Sequence, residues 1–97
     1  GYLAPVGPRA LLYRVVNNLR QVHLSRSELP QLAAVLRLRC AFPGSPAETH
    51  LELAGVLAQL GDFGAAADNV ELVLPRASAE VQPKLRAKAA GLRARLN

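Results

Sequence analysis

The sequence predicts an all-α domain, and three observations carry that prediction. Leu, Ala and Arg supply 45 of the 97 residues, and these residue types lie near the top of the intrinsic helix-propensity scale. Apolar residues recur at spacings of three and four along most of the chain, which is the pattern of an amphipathic helix. Strand-forming residues are few, because Ile and Trp are absent and aromatic residues make up 4%. A chain of this length holds a single domain.

The first part of the chain predicts an extended lead-in and then a helix. Pro5, Gly7 and Pro8 interrupt regular structure over residues 1–9, and the domain itself is expected over residues 10–97. A first helix is predicted from Ala10 to about Ser25. Its apolar positions fall at helical spacing at Leu11, Leu12, Val15, Val16, Leu19 and Val22.

Capping residues divide the next part of the chain into two helices. Ser27 is predicted to cap a second helix that has Pro30 in its first turn, where a missing N–H is tolerated. Pro43-Gly44 ends that helix. Ser45-Pro46-Ala47-Glu48 then predicts a capping box for a third helix, with Ser at the cap and Glu at the third helical position. The third helix is expected to stop at Gly61.

Two further helices complete the chain. Asp62 is predicted to cap a fourth helix that Pro75 closes. A fifth helix is expected over about residues 80–96, although Pro83 leaves its first residue open, since proline removes an interior hydrogen bond. Its apolar stripe consists of Val81, Leu85, Ala89, Leu92 and Leu96.

The helices contain an internal repeat. Ser27-Glu28-Leu29 and Gly61-Asp62-Phe63 hold the same place in two helix–turn–helix units that lie 34 residues apart. A helical period of 34 residues is typical of tetratricopeptide repeats. The sequence therefore predicts an α-solenoid with repeats over about 13–46 and 47–78 and a capping helix over about 80–96. The matched apolar pairs are Leu19 with Leu53, Val22 with Val56, Leu29 with Phe63, Leu32 with Ala66 and Leu36 with Val70.

A short motif at the start of the chain carries a family resemblance. Leu3-Ala4-Pro5-Val6, followed by Arg14-Val15-Val16-Asn17-Asn18-Leu19-Arg20, resembles the C-terminal repeat region of bacterial transglutaminase-like/tetratricopeptide proteins of the SirB type. In that family an extended lead-in precedes one helix, two repeats and a final helix. The resemblance implies that this chain is a fragment of a larger protein with an upstream transglutaminase-like domain.

Charge is divided unevenly along the chain. Residues 1–43 carry a net charge of +5, residues 44–75 carry −5, and residues 76–97 carry +5. We expect the basic flanks to lie beside the acidic middle, with the fifth helix packed on the fourth.

The alternative function is a nucleic-acid-binding helical domain that uses the basic fifth helix. The basic residues of that helix flank both sides of its apolar stripe, however, and no aromatic residue accompanies them. A membrane-surface helix is disfavoured for the same lack of aromatic anchors. The basic residues concerned are Lys84, Arg86, Lys88, Arg93 and Arg95.

The chain offers little for catalysis or metal binding. Cys40 lies on the apolar face of the second helix and is expected to be a buried small hydrophobe. His23 and His50 do not complete a zinc ligand set with it, and Glu48 and Glu52 are interpreted as a solvated helix face packed beside a basic neighbour. We therefore expect no enzyme activity, cofactor or metal. A lone cysteine and the lack of a membrane-length apolar run fit a cytoplasmic location.

These considerations favour a non-catalytic protein–protein interaction module. The resemblance implies that the first helices of the two pairs line a concave surface for a protein or peptide. The candidate contacts on that surface are Arg14, Asn17, Gln21, Leu24, Glu48 and Leu51. The first helix has no cap, so Leu11, Leu12 and Val15 are expected to remain exposed. They would contact the upstream domain or a second copy in a homodimer.

Overall fold

The structure of the chain is a computed structural model that describes residues 8–25 and 28–96, without the side chains of Tyr13, Leu24 and Ser25. Five α-helices and one short 3-10 turn make up most of these residues, and no strand occurs among them. The predicted all-α class is therefore confirmed. The elements are α1 (Pro8–Ser25), α2 (Leu29–Ala41), α3 (Ala47–Gln59), α4 (Phe63–Val73), the 3-10 turn (Leu74–Arg76) and α5 (Gln82–Ala94).

Each helix packs mainly on its neighbours in the sequence: α1 on α2, α2 on α3, α3 on α4 and α4 on α5. The result is a flattened molecule of 54 × 32 × 17 Å. One apolar core runs through α2 to α5. Among the described side chains of α1, Val16 is the one buried apolar residue, and it lies outside that core. The first helix therefore lies at one end of the packed layer. The core residues are Leu32, Ala33, Leu36, Leu53, Ala54, Val56, Leu57, Ala66, Val70, Val73, Leu85 and Ala89.

Several predicted helix ends are confirmed. Asp62 precedes α4, and its carboxylate accepts a hydrogen bond from the backbone N–H of Ala65 at 3.4 Å. Pro30 stands in the first turn of α2. The predicted cap Ser27 lies outside the described residues, and Glu28, the residue directly before α2, makes no side-chain cap hydrogen bond. The predicted start of α4 at Asp62 and the predicted place of Pro30 in α2 are therefore confirmed.

The predicted capping box at Ser45 is wrong. The third helix begins at Ala47, and Pro46 rather than Ser45 occupies the cap position. One residue further upstream, the Ser45 hydroxyl donates instead to the carbonyl of Cys40 at 3.2 Å. Pro46 cannot provide a side-chain acceptor, so the first N–H groups of α3 have no side-chain cap. The Ser45 hydroxyl therefore satisfies a carbonyl at the end of α2 and does not cap the start of α3.

Two predicted boundaries move by about two residues because proline is accepted in a first helical turn. The first helix starts at Pro8 rather than Ala10, so the predicted lead-in is two residues too long, and residues 1–7 lie outside the described residues. The last helix starts at Gln82 with Pro83 in its first turn, where a proline removes no intrahelical hydrogen bond. The Gln82 amide donates to the carbonyls of Leu74 and Ala77, both at 3.1 Å.

The turn between α3 and α4 depends on Gly61, whose φ is +83°. An added Cβ would meet no atom within 4 Å, so the penalty for a side chain comes from the left-handed backbone alone. We expect Gly61→Val to lower the free energy of unfolding by at least about 1 kcal/mol, measured by urea titration. The control is Gly55→Ala within α3, where the added methyl also meets open space and should stabilise by up to about 1 kcal/mol. A Gly61→Val protein with the parental unfolding midpoint would contradict this account of the turn.

Candidate interaction surface

One side of α1 is apolar and exposed. Residues separated by three, four or seven positions share a helix side. Five exposed large apolar residues lie on one side of this helix, and the four from Leu11 to Leu19 form the surface that we call the α1 apolar face; Val22, 41% exposed, follows one turn further on. Their exposed fractions are 54% for Leu11, 58% for Leu12, 46% for Val15 and 41% for Leu19. Next to them Val16 is 7% exposed and packs toward the rest of the molecule. The predicted exposure of Leu11, Leu12 and Val15 is confirmed.

Two grooves flank the first half of α1. The larger, about 600 Å³, lies between α1 and the loop after α2, and we call it the arginine groove. The smaller, about 270 Å³, lies between α1 and the end of α2 and is called the leucine groove. Phe42 lines both grooves. The arginine groove is lined by Arg9, Ala10, Arg14, Phe42, Pro43, Gly44 and Ser45, and the leucine groove by Leu12, Val16, Leu38, Ala41 and Phe42.

The leucine groove extends the α1 apolar face onto a second helix. Leu12 belongs to both surfaces, and on the opposite wall Leu38 of α2 is 57% exposed. Apolar side chains from two elements thus form one continuous surface at this end of the molecule. Contiguous exposed apolar surface of this kind marks interaction sites in proteins.

The loop that walls the arginine groove is held by hydrogen bonds at both ends. The Phe42 N–H donates to the carbonyl of Arg39 and the Ser45 N–H to that of Phe42, each at 3.2 Å. From the 3-10 turn, the guanidinium of Arg76 donates to the carbonyl of Ser45 at 3.1 Å. Gly44 adopts a φ of +76°, which permits the sharp bend. The groove is therefore bounded by a fixed wall.

The predicted concave-face residues of α1 have different surroundings. Arg14 is exposed and lines the arginine groove, Gln21 is exposed, and Asn17 is half-buried. The side chain of Leu24 lies outside the description. These positions remain a predicted binding surface.

On α3, the two predicted contacts also differ. Glu48 is exposed, whereas Leu51 is half-buried and packs against the core. Leu51 therefore offers a partner only part of its side chain. Glu48 has no ion pair among the described residues.

An ion pair that residue-by-residue reasoning did not identify joins α1 to α3. The Arg20 guanidinium donates two hydrogen bonds to the carboxylate of Glu52, one of them 3.0 Å long, and both side chains are largely covered. Bidentate pairs of this kind are directional as well as attractive. The sequence signals for it were the uneven charge distribution and the basic neighbour expected beside Glu48 and Glu52, and neither indicated that Arg20 is the residue that pairs.

The basic face of α5 is partly neutralised by α4. Arg93 forms ion pairs with both Asp68 and Glu71, and the hydrogen bond from Arg93 lowers the pKa of Glu71 below its ordinary value. The guanidinium of Arg95 lies over the ring of Phe63, 4.3 Å from its centroid. The expected placement of basic residues beside acidic ones is confirmed. Three of the five cations proposed for nucleic-acid binding therefore have partners within the fold, because Arg86 also donates to the side-chain oxygen of Gln82 at 3.3 Å.

The cysteine and the two histidines, which were weighed above as nucleophile and metal ligands, have the following surroundings. Burial raises the pKa of the half-buried Cys40 thiol, the Arg39 charge opposes that shift and the Glu52 charge adds to it. A thiol so shifted is mostly protonated at neutral pH and is a weak nucleophile. The Nδ1 atom of His23 lies 3.2 Å from the Glu28 carboxylate, and that of His50 lies 3.2 Å from the Asn69 amide oxygen.

Metal-ligand clusters and membrane-spanning helices are both absent from the described part of the chain. No three His, Cys, Asp or Glu side chains there are grouped so that they could hold a metal ion. None of its helices is both long and apolar enough to cross a membrane. What the described residues around α1 do present is exposed apolar surface and, at Arg9 and Arg14, positive charge.

Comparison of the chain with protein-family models, with curated proteins and with solved structures gives no match. The resemblance stated above consequently depends on the residues quoted for it.

Proposed function

We propose that this chain is a non-catalytic interaction domain of the tetratricopeptide type, which binds a protein partner through the α1 apolar face. The observation that carries the proposal is the exposure of Leu11, Leu12, Val15 and Leu19 on one side of a single helix. Burying one such side chain fully contributes about 1.5–3 kcal/mol relative to leaving it in water. Four half-exposed side chains provide a substantial driving force for association.

Two features support the solenoid part of the proposal. Every helix packs on its sequence neighbours, as expected for stacked helix pairs in which each repeat contacts only the next. The pair between Arg20 and Glu52 joins α1 to α3, which are the first helices of the two proposed repeats. An ion pair between these two helices is compatible with first helices that border one concave face.

The position of α1 at the end of the packed layer favours a folded domain as the partner. At the opposite end α5 covers α4 and contributes Leu85 and Ala89 to the core, whereas nothing among the described residues covers the α1 apolar face. Solenoids need polar caps at their ends or a partner in place of one. An upstream domain of the same protein, as the family resemblance implies, or another protein would fill that role.

The proposal is tested by affinity capture from an extract of the source organism with the immobilised chain. Leu11→Glu combined with Val15→Glu should reduce the recovery of specifically bound proteins at least tenfold, because two charges would be placed inside the apolar contact. The matched control is Leu72→Glu on α4, an equally exposed leucine at 60%, which should retain them. Circular dichroism verifies that all three proteins are folded. Equal recovery by the double variant and the parent would contradict the proposal.

A further inference from the structure

We infer that the arginine groove binds a short acidic segment of the partner, with an apolar side chain against Phe42 and carboxylates paired with Arg9 and Arg14. The inference rests on the proposed function and names the chemical class of its partner. Three properties of the groove lead to it, namely its charge, its lining and its fixed wall.

The charge at the groove is not compensated within the described residues. No described carboxylate lies within ion-pair distance of Arg9 or Arg14, whereas Arg20 has one such partner and Arg93 has two. Residues 8–25 contain no Asp or Glu at all. Two unpaired guanidinium groups at one rim attract an anionic partner and fix its position, since arginine binds carboxylates in a bidentate manner.

The lining and the wall of the groove favour a peptide. Between the two arginines the groove presents Ala10, Phe42 and Pro43, so its floor is largely carbon. Its volume of about 600 Å³ lies within the range of ordinary ligand pockets. Because hydrogen bonds hold the loop over residues 42–45 at both ends, little conformational entropy remains to be lost when a ligand binds.

Other occupants fit these features less well. A second copy docked through the same surface by a two-fold axis would bring the arginines of both copies together, and like charges at an interface are unfavourable. A nucleic acid would need phosphate contacts along a basic track and aromatic rings for stacking. Here Phe42 is the one ring that lines the groove in the described part of the chain, and it is half-buried.

Fluorescence polarisation with defined peptides tests the inference. The probe is a labelled 12-residue peptide in which Leu and Phe alternate with Asp and Glu, and its control replaces each acid by Asn or Gln. The full chain should bind the acidic probe at least tenfold more tightly than the neutral one. That binding should weaken as salt is added, because exposed charges are screened.

Matched charge reversals locate the binding. Arg9→Glu combined with Arg14→Glu should weaken binding of the acidic probe at least tenfold, and Arg9→Gln with Arg14→Gln should weaken it in the same direction. The control pair is Arg86→Glu with Lys88→Glu, which makes the same change of charge at exposed positions of α5 and should alter binding by less than twofold. Equal losses from both reversals would show non-specific attraction and overturn the inference.

Two parallel measurements cover the competing occupants. Sedimentation that shows dimers of the parent, but monomers of the Arg9/Arg14 variant, would assign the groove to a second copy. Displacement of the probe by a single-stranded oligonucleotide at lower concentration than by unlabelled peptide would assign it to nucleic acid. Either result overturns the inference. A partner still captured through Leu11 and Val15 while the acidic probe fails to bind would leave the proposed function intact and reject only this step.

Discussion

Deletion of residues 79–97 is expected to abolish cooperative thermal unfolding. These residues include α5, whose Leu85 and Ala89 are buried against the core formed by the preceding helices. Their removal would expose the inner side of α4, including Val70 and Val73. Few-repeat helical arrays have little reserve stability, since each unit buries its apolar side only against a neighbour. The measurement is differential scanning calorimetry of the parent and the shortened chain.

Point variants separate loss of packing from loss of chain length. Leu85→Ala should lower the free energy of unfolding by about 2–5 kcal/mol, the usual range for a buried leucine. Leu96→Ala makes the same change at a residue that is largely exposed and should lower it by well under 1 kcal/mol. If the shortened chain still unfolds in one sharp transition, α5 does not cap the domain.

Leu36→Ala is expected to be the most destabilising single substitution in α2. The Leu36 side chain is completely buried and belongs to the common core, so truncation removes its apolar contacts and leaves a cavity. The expected loss is about 2–5 kcal/mol, against a total stability of about 5–15 kcal/mol for a domain of this size. Urea unfolding followed by circular dichroism measures it.

The matched control for this substitution lies two residues further along the same helix. Leu38 lines the leucine groove and is mostly exposed, and Leu38→Ala should change stability by less than about 0.5 kcal/mol. Comparable losses from both variants would mean that α2 does not present the side described here to the core. The same control variant retains the fold for binding experiments at the α1 end.

The helices were predictable because their signals are local. Asp62 at a helix start, Pro30 in a first turn and Gly61 after a last turn each act within four residues of their own position. The exposure of Leu11, Leu12 and Val15 was also predicted. That of Leu19 was not, because the repeat pairs Leu19 with Leu53, which is buried, whereas Leu19 is 41% exposed. The start of α3 was not predictable either, because two adjacent residues, Ser45 and Pro46, could each precede the helix. The competing acceptor for the Ser45 hydroxyl, the Cys40 carbonyl, belongs to another helix.

The grooves required the tertiary structure. Phe42 and Leu38 are far from Leu12 in sequence, and their periodicity does not reveal that they face α1 across a gap. The ion pairs also required the tertiary structure. The sequence shows an acidic middle between basic flanks, but it does not show that the Arg20 guanidinium donates to the Glu52 carboxylate. The tetratricopeptide arrangement of the two units stays a prediction.

The sequence by itself determined where helices form, since propensity, apolar spacing and caps act between residues a few positions apart. Only the tertiary structure decided which apolar residues become core and which become surface. Leu36 and Leu12 are both leucines within helices, yet one is fully buried and the other is mostly exposed. The difference arises because α2 lies between α1 and α3 and packs on both. The first helix, α1, makes extensive contact with α2 alone. Burial depends on what lies opposite a residue, and for these helices the opposing atoms are distant in the chain.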